Sequence, residues 1–182
     1  MKNCVILGPS KIQKIQKYGH IKNLTQYIKE VAQFFAKNYD AILIIPDNGI
    51  FLEVAKEFKK NNKSKKVIGY IPGKTKGEKN IKKYYKYFDE IKDINGGWFN
   101  LNTELTRKSN HVFCLGYSAG VMIELCSIKY NQMYLNLNTK IFIDHRCISQ
   151  KLPKEVEVDL KNLYYFKNFK SLEKLKEFNE KI

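Results

Sequence analysis

Arginine is almost missing from this 182-residue chain: of its 33 basic residues, only Arg107 and Arg146 are arginine. A net charge of +15 would ordinarily point to nucleic acid as a partner. Sites that grip phosphates and guanine edges lean on arginine's planar fork, however, and here lysines are spread over most helical faces. The densest basic tract, Lys74 to Lys92, interleaves Tyr84, Tyr85, Tyr87 and Phe88 with lysines in a pattern that can stack bases. A solvated amphipathic face is the favoured reading of that tract, with nucleic acid as the lesser one. Cysteine and histidine are also sparse. Cys4, Cys114, Cys126 and Cys147 form no C-x-x-C pair and lie near none of the three histidines at zinc-ligand spacing, so they are expected to be reduced, buried and free of metal. No apolar run approaches the ~20 residues a membrane span needs. The first ten residues enter a strand-like run without a signal-peptide core, so a cytoplasmic location is expected. With only 10 glycines and 4 prolines, collagen-like and low-complexity disorder are excluded.

What the chain does have is an alternation of short apolar runs and amphipathic helical stripes, the pattern of a parallel sheet with helices on both faces. Cys4–Leu7, Ala41–Ile45, Val67–Ile71, His111–Leu115, Lys140–Ile143 and Leu163–Phe166 read as six strands. Helical spacing recurs from Leu24 to Phe35, Phe51 to Phe58, Asn102 to Lys108 and Ala119 to Tyr130, and a closing helix is striped by Leu172, Leu175, Phe178 and Ile182. Lys74 to Trp98 reads as an irregular crossing with one helix. The length suits one core, so a single α/β domain over residues 1–182 is expected, a doubly wound, mostly parallel Rossmann-like sheet. Ligands of such sheets lie outside the carboxyl ends of the strands, where helix N-termini offer free N–H groups. Four turns qualify: Gly8-Pro9-Ser10, Pro46-Asp47-Asn48-Gly49, Pro72-Gly73 and Gly116 to Gly120. They are expected to converge on one crevice, which makes Gly8, Ser10, Gly49, Gly73, Gly116, Tyr117, Ser118, Ala119 and Gly120 its ligand-binding candidates.

The last of these turns, Gly116-Tyr117-Ser118-Ala119-Gly120, also spells the G-x-S-x-G elbow of serine hydrolases. That reading needs an acid and then a histidine downstream. Only His145 qualifies, its neighbour Asp144 is badly placed to orient it, and 64 residues are too few for the remaining strands of an α/β-hydrolase. Ser118 is therefore disfavoured as a nucleophile. As an anion cradle the turn fares better. Gly116 and Gly120 allow close backbone approach, the helix start offers N–H groups, and Ser118 can donate a hydroxyl. Glu124, one turn into the helix, is placed either for a ribose hydroxyl or acid/base work, or as a surface partner of the helix dipole.

With Glu124 included, the stretch G-Y-S-A-G-V-M-I-E resembles the P-G-G-x-G-T-x-x-E loop of a Rossmann-like superfamily. That superfamily takes in the LOG phosphoribohydrolases, the lysine-decarboxylase-like proteins and the molybdenum-cofactor carriers, and more distantly the DNA-processing protein of bacterial transformation. Upstream, LNTELTRKSNHVFCL resembles the carrier branch, with Asn102, Arg107, Gly116, Gly120 and Glu124 on matching positions, and the likeness covers about residues 3–126. It implies a nucleotide or pterin-nucleotide ligand at the carboxyl edge of the sheet and a homodimer. It also implies, as an alternative, hydrolysis of a nucleoside 5′-monophosphate to base and ribose 5-phosphate, with Glu124 and Arg107 as the catalytic pair. Arg107 equally suits a surface ion pair. The chain departs from the pattern where Tyr117 and Ser118 replace glycines and Val121 replaces the phosphate-binding threonine. His145, beside Asp144 at a strand end, reads either as a ligand contact or, more simply, as a structural residue.

Overall fold

A computed structural model describes residues 1–61, 63–73, 78–175 and 178. Seven strands form one sheet: β1 Asn3–Leu7, β2 Ala41–Ile44, β3 Lys66–Ile71, β4 Glu90–Asp93, β5 His111–Cys114, β6 Lys140–Asp144 and β7 Leu163–Phe166. Their order is β4-β3-β2-β1-β5-β6-β7, and every pairing is parallel. The helices are α1 Gln13–Tyr18, α2 Leu24–Asn38, α3 Ile50–Asn61, α4 Glu78–Ile81, α5 Gly97–Leu105, α6 Ala119–Tyr134, α7 Lys154–Glu157 and α8 Phe169–Glu173. The doubly wound α/β architecture expected from the sequence is the one found.

Strands buried on both faces read as continuous apolar runs, and β1, β2, β5 and β6 do so because each separates two cores. Cys4 and Ile6 face one core, built with Val31 and Phe35 of α2, Val54 and Phe58 of α3, and the rings of Phe113, Phe142 and Phe169. Val5 and Leu7 face the other, built with Leu101 and Leu105 of α5 and Val121, Leu125 and Ile128 of α6. This alternation within single strands seats the sheet between two helical layers.

Two elements differ from the sequence reading. β4 lies inside the stretch expected to be irregular. It is an edge strand whose residues EIKD are half-buried or exposed, so it carries charge where an inner strand carries a hydrophobic run. The closing stripe is broken after α8, which ends at Glu173: Lys174 and Leu175 are non-helical, Phe178 is again helical and packs into the core, and Ile182 lies outside the described residues. Residues 74–77, the start of the lysine-tyrosine tract, also lie outside them.

One buried polar pair sits at the amino edge. His111 is fully buried, its Nδ1 is 2.7 Å from the Tyr39 hydroxyl, and its Nε2 has no hydrogen-bond partner among the described residues. Burial, with Lys2 and Lys140 nearby, depresses its pKa to about 4.

Candidate functional site

The chain runs outward from β1 through β2 and β3 to β4, then returns to place β5 on the other side of β1. The crevice between the carboxyl ends of β1 and β5 is thus the topological switch point, where open sheets leave room for a ligand. A cleft of about 330 Å³ occupies it. Its walls come from the turn after β1 (Gly8, Ser10), α1 (Lys14), the end of β2 and start of α3 (Ile45, Asp47, Phe51), α5 (Trp98, Asn102) and the first turns of α6 (Ser118 to Val121, Glu124). A larger groove of about 550 Å³ lies between α2, α3 and the turn at Lys86 to Asp89, away from this edge. Its Glu53, Glu57 and Asp89 are taken by Lys56, Lys60 and Lys59, so no carboxylate is left free in it.

Ser118 is the N-cap of α6: with extended backbone, its Oγ accepts the Val121 N–H at 3.3 Å. The Ser118 carbonyl accepts from the Met122 N–H at 2.9 Å. No group among the described residues accepts the N–H of Ala119 or Gly120, which leaves two donors and the positive end of a 16-residue helix at the cleft. No imidazole bonds Ser118, and the ring of His145 pairs instead with that of His20, centroids 6.3 Å apart. Among the described residues the elbow therefore has no histidine base.

The glycines separate into two kinds. A Cβ on Gly8 would meet Ile50 Cγ2 at 2.4 Å, and one on Gly49, whose φ is +129°, would meet the Pro9 carbonyl at 2.4 Å. These two lock the turns after β1 and β2 against each other. Gly120 has no such reason: the nearest atom to a Cβ there is Ser118 Oγ at 3.9 Å. The space it keeps open belongs to the cleft.

Glu124 lies one turn further into α6. It is only 4% exposed, and nothing among the described residues hydrogen-bonds or ion-pairs with its carboxyl group. Burial alone pushes its pKa up to about 8. Asp47 across the cleft is also raised by burial, against the opposing pull of its bond from the Asn48 N–H and of Lys83. Lys14 is exposed and has no carboxylate partner among the described residues. The cleft thus offers a cation, two free N–H donors, a buried carboxyl and the faces of Trp98 and Phe51.

Of the residues singled out in the sequence, the structure brings Gly8, Ser10, Asn102, Ser118, Ala119, Gly120 and Glu124 together. Gly49 stands behind the wall. Gly73 neighbours Asp93 and Asn95, and Gly116 packs on Pro9 and the Cys147 carbonyl; neither lines the cleft. Tyr117 turns into an adjoining cavity of about 140 Å³ with Pro9, Tyr18 and Cys147. Arg107 lies at the opposite edge, ahead of β5. Its Nε donates to Asn131 Oδ1 at 2.8 Å and its guanidinium pairs with Glu104. Asn131 in turn donates to Thr106 Oγ1, which meets Ser127 Oγ, and Ser127 donates to the Glu124 carbonyl at 2.7 Å. Arg107 thus belongs to a polar seam joining α5 to α6 beneath the cleft. Lys14, Asp47, Phe51 and Trp98 were missed as site residues. Asp47 follows β2 directly and Trp98 is the chain's one tryptophan, two signals the sequence did carry.

No family model matches the chain, and no curated protein does. Solved structures do. The molybdenum cofactor binding protein of Rippkaea orientalis is 15% identical, with a TM-score of 0.67 over 97% of this chain and 95% of that one. The molybdenum cofactor carrier protein of Chlamydomonas reinhardtii is 15% identical, with a TM-score of 0.65 over 97% of each chain. The structural-genomics target TM1055 is 12% identical, with a TM-score of 0.62 over 96% of this chain and 100% of that one. At these identities the likeness establishes a shared Rossmann-like fold across nearly the whole chain.

Proposed function

We propose that the switch-point cleft binds a nucleotide or nucleotide-derived ligand. The observation that carries this reading is Glu124, a buried carboxyl group without a partner among the described residues, one helical turn from two free N–H groups. Native folds leave such a group unpaired at a cost in stability, and functional clefts are where that cost recurs. A phosphate would take the N–H groups of Ala119 and Gly120, with Lys14 as counter-charge and the Ser118 hydroxyl as a further donor. A sugar hydroxyl would meet Glu124, and a base or pterin ring would lie against Trp98 or Phe51. Two of the structural neighbours are named for binding or carrying molybdenum cofactor, which is compatible with a pterin-nucleotide ligand. A homo-oligomer belongs to the same reading.

Hydrolysis of a nucleoside 5′-monophosphate is the second reading, favoured by the raised pKa of Glu124. Near neutral pH a carboxyl titrating at about 8 keeps its proton, so it can protonate the departing base as the N-glycosidic bond breaks and water adds to the sugar carbon, the proton released by that water returning to the carboxylate. Arg107 would then act on the fold under Glu124 and not on substrate. A thermal-shift panel of nucleoside mono-, di- and triphosphates and pterin mononucleotides is expected to yield at least one stabilising ligand whose effect is lost in Gly120→Leu. No response across the panel would remove the binding reading. Base release that survives Glu124→Gln unchanged would remove the hydrolytic one.

A further inference from the structure

The groove of about 550 Å³ between α2, α3 and the turn before β4 has an apolar floor. Ile28 of α2, and Tyr87 and Phe88 of the turn, are half-buried there and pack against the core that α2 and α3 share. Gly69 makes this seating possible. A Cβ on it would meet Phe88 Cδ1 and Ile91 Cδ1 at 2.8 Å each, so the glycine in the middle of β3 leaves the space that the Phe88 ring takes. The floor is therefore fixed by the sheet beneath it.

Charge indicates what the groove accepts. Among the described residues that line it are five lysines and three carboxylates. Glu53, Glu57 and Asp89 pair with Lys56, Lys60 and Lys59 at 2.6, 3.0 and 2.7 Å. Lys29 on α2 and Lys86 on the turn are exposed and have no carboxylate partner among the described residues. They belong to different walls, so an anionic chain in the groove would meet a cation on each side. Nucleic acid suits the surface less well. The ammonium groups of Lys56 and Lys86 lie over the Tyr87 ring, 4.9 and 5.2 Å from its centroid, and that of Lys83 lies 5.0 Å over Tyr84. Lysines thus already lie on the rings that bases would stack on. A membrane surface needs apolar groups that protrude, and these are recessed. A second copy of this chain, at a net charge of +15, would bring lysines against lysines.

We propose that this groove docks an acidic segment of another protein. A large apolar side chain of that segment would enter against Ile28 and Phe88 while its carboxylates take Lys29 and Lys86, an apolar anchor flanked by charge. The groove shares no lining residue with the switch-point cleft among the described residues, so the docking holds whatever the cleft binds.

The test is selection of short random peptides on the purified full chain by phage display, followed by fluorescence anisotropy of the enriched peptides made synthetically. Enriched peptides are expected to be net acidic with at least one large apolar residue, and to bind more weakly as salt is raised. Affinity is expected to fall by about tenfold or more when Lys29→Glu and Lys86→Glu are combined, both being exposed positions whose variant is checked by circular dichroism. Lys167→Glu, the same change beyond β7 at the other edge of the sheet, is expected to leave affinity unchanged, as is Gly120→Leu in the cleft. No enrichment, enriched peptides without acidic residues, or affinity indifferent to the double charge reversal would each overturn the proposal. Self-association of the chain, or binding of single-stranded DNA, that displaces the peptides and is lost in the double variant would assign the groove to that occupant and overturn it equally.

Discussion

Glu124→Gln is expected to make the protein more stable, by an amount that grows with pH. The carboxyl group titrates at 4.5 in a solvated chain and at about 8 in the folded one, with burial as the cause. Between those values the unfolded chain releases a proton that the folded chain keeps, so the wild type loses stability as pH rises through this window. At about 1.36 kcal/mol per pKa unit, the cost is about 1 kcal/mol near pH 5, about 3 near pH 7 and about 4 by pH 8. Glutamine keeps the shape and carries no charge, so it avoids this cost. Near pH 7 the difference corresponds to a rise of roughly 6–12 °C in Tm for a chain of this size. Urea unfolding of both proteins from about pH 5 to pH 8 measures it directly, with the difference between the two curves isolating Glu124. A difference that stays flat with pH, or a variant less stable than wild type, would refute the reasoning. It would mean that the carboxyl group finds a partner or water in the folded state.

His111 gives the opposite slope. Its folded pKa of about 4 lies below its solvated 6.5, so the unfolded chain takes up a proton first and stability falls as pH drops from about 6.5 towards 4, by up to about 3 kcal/mol. His111→Phe should flatten that acid limb in urea titrations. Gly120→Ala meets nothing within 3.9 Å and should leave stability within about 0.5 kcal/mol or raise it, whereas Gly49→Ala, with positive φ and the Pro9 carbonyl at 2.4 Å, should cost several times that in the same unfolding assay. Arg107→Ala removes the bonds to Asn131 and Glu104 and should lower stability by about 1–2 kcal/mol in thermal unfolding, with ligand affinity changed little.

The parallel sheet was legible because its inner strands separate two cores, which forces continuous runs such as VIL and AILII. β4 was not, because an edge strand with half its surface in water has no apolar run to read. The cleft's near wall was equally legible. Strand, turn and helix at Phe113 to Leu125 determine where a helix N-terminus meets the carboxyl edge, and Glu124 follows one turn later. The far wall depends on distances the sequence does not contain. Gly49 has the composition of a ligand turn and in fact locks two turns together, while Lys14 and Trp98 reach the cleft only because α1 and α5 fold over it. Arg107 shows the limit of motif matching. It stands on the matching position of the carrier pattern, yet it precedes β5 and so lies at the sheet's other end, while the switch point is at the carboxyl end of that strand.

The single tryptophan, Trp98, lines the cleft at 36% exposure and provides the most direct test of a nucleotide site there. Its fluorescence, titrated with nucleoside 5′-monophosphates and a pterin mononucleotide, is expected to change saturably for at least one of them in wild type. In Gly120→Leu, whose Cβ would meet no protein atom closer than 3.9 Å and whose side chain would take up space at the cradle, that response should weaken by tenfold or more. A saturable response that is identical in Gly120→Leu, or none with any of these ligands, would contradict the placement of a nucleotide site at the N-terminus of α6.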